Sequence, residues 1–189
     1  MSIQRKAAHI KLLLFDVDGV LTDGKILLHS DGTESKRFDI KDGTAIVWAQ
    51  QRAGLSIGFL SARSSAASAQ RAAQLGVSLI HQGVPSKLDA YVEILRQQSI
   101  ADADVAYMGD DVLDLPVLLR AGLSAAPADA AEEVRTRVDW VSAFNGGDGA
   151  ARDLIELVLR AQGKWDRLME EYTAAHEAAA GRRADRGGA

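Results

Sequence analysis

The sequence predicts an α/β fold in which a parallel sheet carries helices on both faces. Three observations lead there. Short apolar runs rich in β-formers alternate with longer helical patterns; Gly, Ser or Asp punctuates the joins; and acidic or hydroxyl residues follow directly on several apolar runs.

Taken in order, the runs that read as core strands are Ile10 to Phe15, Leu55 to Leu60, Ser78 to His81, Val105 to Met108, Leu123 to Ala126 and Val138 to Val141. Helical patterns lie between them at Gly43 to Arg52, Ser64 to Gln74, Ser86 to Gln97, Leu113 to Ala121 and Gly149 to Gln162. The alternation is Rossmann-like, and in such open sheets ligands bind beyond the carboxyl ends of the strands. One segment breaks the pattern. Gly24 to Asp39 holds Asp31-Gly32 at its middle, a hairpin-turn dipeptide between β-compatible residues, and predicts a projecting β-hairpin too short to be a cap domain. After Gly163 a further Ala-rich helical stretch runs to about Ala180, so we expect one domain over residues 1–180 and a mobile tail over 181–189.

Composition narrows the function classes. The net charge of -4 offers no overall basic field for nucleic acid. The chain has no cysteine, so any metal must sit on oxygen or histidine. No apolar run approaches the roughly 20 residues of a membrane span, and no secretory core adjoins Met1 to His9. The expectation is a cytoplasmic protein with neither a membrane nor a nucleic acid as partner.

The chemistry-bearing residues sit where the topology puts ligands. Asp16-Val17-Asp18-Gly19 follows the first run, and two carboxylates so close repel unless a cation or proton lies between them. A hard divalent ion such as Mg2+ answers this, and it would let Asp16 attack phosphorus while Asp18 exchanges protons with the leaving group and water. The same residues also fit an Asp-rich turn that merely ends a strand. Gly109-Asp110-Asp111-Val112-Leu113-Asp114 is a second cation-seeking cluster; Asp110 is the candidate ligand, whereas Asp111 and Asp114 equally suit a helix cap and a first-turn acid. Ser61 could donate to a phosphate oxygen or be a turn serine. Lys87 stands in a first helical turn, where a cation is disfavoured unless an anion is bound nearby.

In this order, Asp16 to Gly19, Ser61, Lys87 and Gly109-Asp110-Asp111 resemble the haloacid dehalogenase superfamily of phosphohydrolases. The resemblance implies Asp16 as nucleophile, Asp18 as acid/base and donor of a backbone carbonyl to Mg2+, Ser61 and Lys87 as phosphoryl-holding groups, and Asp110 as the residue that completes the metal site. Over residues 10–162 the chain is similar to a cap-less subgroup that hydrolyses phosphorylated keto-sugar acids of lipopolysaccharide synthesis. Phe38 to Gly43, Gln82-Gly83, Val117 to Asp129 and Gly146 to Ala150 carry that likeness. It implies a small-molecule sugar-acid phosphate as substrate, held by Asp18, Lys87, the segment Asp39, Ile40, Lys41, Asp42 and Gly43, and Arg63 and Arg71. It also implies a homotetramer assembled through the hairpins, in which neighbours help to enclose each site.

Two positions depart from the subgroup: Ser61-Ala62-Arg63 stands for a Gly-Arg pair after the hydroxyl residue, and Val47 for a basic residue. Relatives acting on a nine-carbon acid often carry an acidic residue where this chain has Arg63, which favours the eight-carbon acid. A receiver module of a signalling pathway shares the acidic pocket and lysine, but places its phospho-acceptor after a later strand. A catalytically silent assembly subunit is the third reading, against which stands the presence of every catalytic position.

Overall fold

The computed structural model describes residues 1–184, with the side chains of residues 1–174. A six-stranded parallel sheet in the order β5-β4-β1-β6-β7-β8 is built from β1 (Leu12–Phe15), β4 (Ser56–Leu60), β5 (Leu79–His81), β6 (Val105–Met108), β7 (Leu123–Ala126) and β8 (Trp140–Val141). The hairpin strands β2 (Leu27–Leu28) and β3 (Glu34–Ser35) pair only with each other.

Strand periodicity divides β1 between two cores. Leu13 and Phe15 join the core built with α1 (Ile3–Ala8), α2 (Ile40–Gln51), α3 (Ala66–Gln74), α7 (Ala150–Ala161) and α8 (Trp165–Ala184). Leu12 and Leu14 join the opposite one, with α4 (Lys87–Gln98), α5 (Leu115–Leu118) and α6 (Glu132–Arg135). Because β1 is covered on both faces, all four of its residues are apolar and buried.

The element boundaries differ from expectation for local reasons. α2 begins at Ile40, three residues before the expected Gly43, because the side chain of Asp39 caps it, accepting from the Asp42 N–H at 3.0 Å. The expected helix Leu113 to Ala121 is instead a 3-10 turn, Val112–Asp114, followed by the one-turn α5: Pro116, in the first turn of α5, has no N–H to continue a helix from upstream. α1 and α6 were not expected; α1 is announced only by Ser2, whose hydroxyl caps it. α8 continues through Ala184, past the expected end near Ala180, and the rest of the expected mobile tail, residues 185–189, lies outside the described residues. Among the described residues no helix is long and apolar enough to cross a membrane.

Candidate active site

The parallel register levels the strand ends. Phe15 of β1 stands opposite Phe59 of β4 and Met108 of β6, so Asp16, Ser61 and Asp110 emerge along one edge of the sheet. Backbone bonds carry the ladder past the strands: the N–H of Asp16 donates to Met108 at 3.0 Å, that of Gly109 to Ala125 at 3.2 Å and that of Ser61 to His81 at 2.9 Å. The chain proceeds from β1 to β4 and β5 on one side, then returns to β6 on the other. β1 and β6 therefore flank the point where strand order reverses, the usual place for a ligand crevice.

The central contact joins Asp16 to Lys87. Lys87 is the first residue of α4, whose cap Ser86 accepts from the Asp89 N–H at 3.2 Å. Its ammonium lies 2.9 Å from Asp16 Oδ2 and 2.6 Å from Asp114 Oδ1. All three side chains are at least nine-tenths buried. Burial works against the Lys87 cation, but Asp16 and Asp114 outweigh it and hold the amine more firmly protonated than usual.

Asp16, Asp110 and Asp114 bring carboxylate oxygens within 4.8 Å of one another. Burial raises the pKa of Asp16, and the Asp114 charge adds to the rise; burial does the same at Asp110, reinforced by Asp16 and Asp114. Carboxylates forced together in this way fit a divalent cation, which would reverse both shifts. Asp114 is the least free of the three. Its Oδ1 accepts from Lys87 and the Tyr107 hydroxyl, and its Oδ2 from the N–H groups of Asp110 at 3.1 Å and Asp111 at 3.3 Å. Asp16 and Asp110 are thus the freer of the three to take a cation, and Asp114 braces the loop behind them. Asp111 is the exposed cap of the 3-10 turn, its Oδ1 accepting from the Val112 N–H at 2.7 Å.

Glycines let the acidic loops close. Gly19 has φ +92°, and a Cβ there would stand 1.9 Å from Asp110 Oδ2. At Gly146 a Cβ would stand 1.8 Å from the Gly19 carbonyl oxygen, while the Gly147 N–H donates to Val20 at 2.9 Å.

A cavity of about 260 Å³ is lined by Asp16, Asp18, Ser61, Arg63, Lys87 and Asp110, among others. The Ser61 hydroxyl oxygen accepts from the Arg63 N–H at 3.2 Å, and its proton remains available to a ligand. Asp18 turns from the acidic triad toward Lys36, 2.7 Å away, with the Arg63 side chain at 3.6 Å. Lys36 was not singled out in the sequence, because its partner is eighteen residues away and only the hairpin's return brings the two together.

The other expected substrate contacts fall elsewhere. Ile40, Gly43 and Arg71 line a second cavity of about 340 Å³, together with Val47 and Trp48, and Arg71 donates to the Asp39 carbonyl at 3.2 Å. The Asp39 side chain caps α2, while Lys41 is exposed. The Asp42 side chain turns inward: the residue is 2 % exposed, and its Oδ1 accepts from the Arg152 N–H at the start of α7.

A parallel sheet with acidic loops at its carboxyl edge, a buried lysine beside the first carboxylate and a hydroxyl after the next strand is the arrangement of a haloacid dehalogenase-like hydrolase. The family model of haloacid dehalogenase-like hydrolases matches residues 59–154, and the chain belongs to that family. It is 41 % identical over 161 residues, 85 % of each chain, to the 3-deoxy-D-manno-octulosonate 8-phosphate phosphatase of Escherichia coli strain K12. The enzyme of that name from Moraxella catarrhalis, solved with magnesium, phosphate and 3-deoxy-D-manno-octulosonate (KDO), superposes with a TM-score of 0.87 at 38 % identity, covering 90 % of this chain and 97 % of that one. A cobalt-bound form of the Haemophilus influenzae phosphatase gives a TM-score of 0.81 at 38 % identity, over 84 % and 92 % of the two chains.

Proposed function

We propose that this chain hydrolyses 3-deoxy-D-manno-octulosonate 8-phosphate to KDO and phosphate through a phosphoryl group carried on Asp16, a step in lipopolysaccharide precursor synthesis. The observation that carries the reading is the buried contact of Asp16 with Lys87 beside Asp110, in a chain alike over most of its length to phosphatases of that name. We assign Mg2+ to Asp16 and Asp110, with the backbone carbonyl of Asp18; when bound, the ion offsets the repulsion between the Asp16 carboxylate and the phosphate anion.

Asp16 attacks phosphorus, and the bond from phosphorus to the sugar oxygen breaks. Asp18 delivers its proton to that oxygen, so a neutral alcohol departs. Ser61 and Lys87 donate to the phosphoryl oxygens and hold them in line. In the second half Asp18 takes a proton from water, the water oxygen attacks phosphorus, and the bond to Asp16 breaks to release phosphate. Arg63 sits at the mouth of this cavity, where it suits a sugar acid's carboxylate and favours the eight-carbon substrate over the nine-carbon alternative.

The second cavity, with Ile40, Gly43 and Arg71, is read as a contribution to a neighbouring chain's site in a cytoplasmic homotetramer. Leu27 and Leu28 support such an assembly, being 63 % and 73 % exposed on the hairpin. We read residues 1–180 as one catalytic domain. The test is phosphate release from the eight-carbon and nine-carbon keto-acid phosphates, with and without Mg2+. A magnesium-dependent preference for the eight-carbon compound supports the reading, preference for the nine-carbon one reassigns the substrate, and no release from either overturns it.

A further inference from the structure

Lys36 is buried, charged and without a role in the steps above. Its side chain is 1 % exposed, yet it stands on the hairpin, otherwise one of the most exposed parts of the molecule. Its ammonium lies 2.7 Å from Asp18 Oδ1 and 2.9 Å from Oδ2. Glu34, two residues earlier and therefore on the same face of the strand, has Oε1 3.8 Å from that ammonium and Oε2 3.0 Å from Arg63 Nη2. Asp18, Lys36, Glu34 and Arg63 thus form a ring in which carboxylates and cations alternate. Arg63 alone would hold Asp18 weakly, since its side chain is half exposed and its Nε is 3.6 Å away.

Asp18 needs to be held. A carboxylate two residues from Asp16, in a cavity that Asp110 also lines, is repelled by both and has no fixed direction unless a cation holds it. The Lys36 ammonium fixes it while leaving the side chain 17 % exposed on the cavity. The buried Oδ1 stays 2.7 Å from the ammonium whether or not Oδ2 carries a proton, so the ionic hold extends over both halves of the reaction. Burying a lysine against one carboxylate is a poor source of stability, and a site requirement accounts for its retention better than packing does.

We propose that Lys36 is a positioning residue for proton transfer: it aims the Asp18 carboxylate at the leaving oxygen, and through it the hairpin takes part in catalysis. This rests on the reading of Asp18 as the acid/base. The test compares kcat/KM, which covers the steps up to departure of the alcohol, for the sugar-acid phosphate and for p-nitrophenyl phosphate, whose phenolate leaves without a proton. Asp18→Asn is the reference, expected to lose on the order of 100-fold or more on the sugar phosphate and far less on the aryl ester. Lys36→Met should show the same split, with about 30-fold lost on the sugar phosphate and less than about threefold on the aryl ester. Lys36→Arg, which can also bridge both oxygens, should recover most of the loss.

Equal losses on both esters in a Lys36→Met protein of unchanged melting temperature, or no loss on either, would overturn the proposal. If the methionine variant does not fold, Lys36→Gln decides by the same ratio. If Asp18→Asn itself shows no split, the acid/base reading of Asp18 fails first, and that result is distinct from a split at Asp18 without one at Lys36.

Discussion

Asp42 offers a stability test that is independent of metal and substrate. Burial raises its pKa from 3.8 to about 6, even though the backbone N–H of Arg152 bonds to it. Its Oδ2 has no hydrogen-bond partner. The folded protein therefore binds this proton more tightly than the unfolded chain does. The stabilisation from the neutral form is fully present below pH 3.8 and is lost as pH rises through about 6. A rise of roughly two units corresponds to about 3 kcal/mol lost by pH 8, since each unit is worth about 1.4 kcal/mol.

Asp42→Asn keeps an oxygen for the Arg152 N–H and removes the titration. The variant should gain on the wild type as pH rises, by roughly 1–2 kcal/mol at pH 5 and about 3 kcal/mol at pH 8, apart from a constant offset for the amide's unpaired NH2. The offset cancels in the difference between the two pH values, as do the titrations of Asp16 and Asp110, which both proteins share. Urea unfolding at pH 5 and pH 8 in the presence of a chelator should show the gap widening by roughly 1–2 kcal/mol. A gap that stays constant or narrows would refute the reasoning. It would mean that the N-termini of α2 and α7, which both lie at Asp42, favour the carboxylate charge more than burial opposes it.

The remaining predictions concern the site and the assembly. Asp110→Asn should raise the Mg2+ concentration needed for half-maximal activity by about tenfold or more, read by titrating metal into chelator-treated enzyme; unchanged dependence would move the ligand role to another carboxylate. Gly19→Ala puts a Cβ 1.9 Å from Asp110 Oδ2 at a φ of +92°. It should cost about 1–3 kcal/mol of stability and displace Asp110, so metal affinity falls together with melting temperature. Leu28→Asp should shift the sedimentation coefficient from that of an oligomer to that of a monomer, and a wild type that already sediments as a monomer would refute the assembly reading.

The sheet was legible because each strand is a short apolar run with a polar residue at its end, a pattern that needs no tertiary information. The same rule located Asp16, Ser61 and Asp110, since parallel register brings strand ends together whatever the helices do. Helix starts were less legible. The sequence places the start of α2 at Gly43, because Asp39 is one of two acids in the segment Phe38 to Gly43 and only the fold shows that its carboxylate caps the helix. Gly43 lies inside α2 rather than in a turn, under the side chains of Arg71 and Leu75, and a Cβ there would stand 2.3 Å from an Arg71 side-chain nitrogen at the movable end of that side chain. Roles set by distant partners were not legible at all. Nothing local distinguishes Asp114, bound to Lys87 and Tyr107, from the exposed Asp111 three residues earlier.

The two strands of the hairpin meet different surroundings. Strands of two residues each are too short to hold an isolated hairpin in water, so its position depends on what each face touches. Glu34 and Lys36 meet Arg63 and Asp18, whereas Leu27 and Leu28 on the other strand are both exposed. A second chain covering those leucines would restrict the strand pair as a unit, and the restriction would reach Lys36 through the Leu27 to Ser35 and Leu28 to Glu34 register. Association and proton-donor placement would then be linked through one element, with no change of shape elsewhere in the sheet. The linkage follows from the antiparallel pairing, which ties each leucine to its partner on the return strand and so to the buried lysine that follows it.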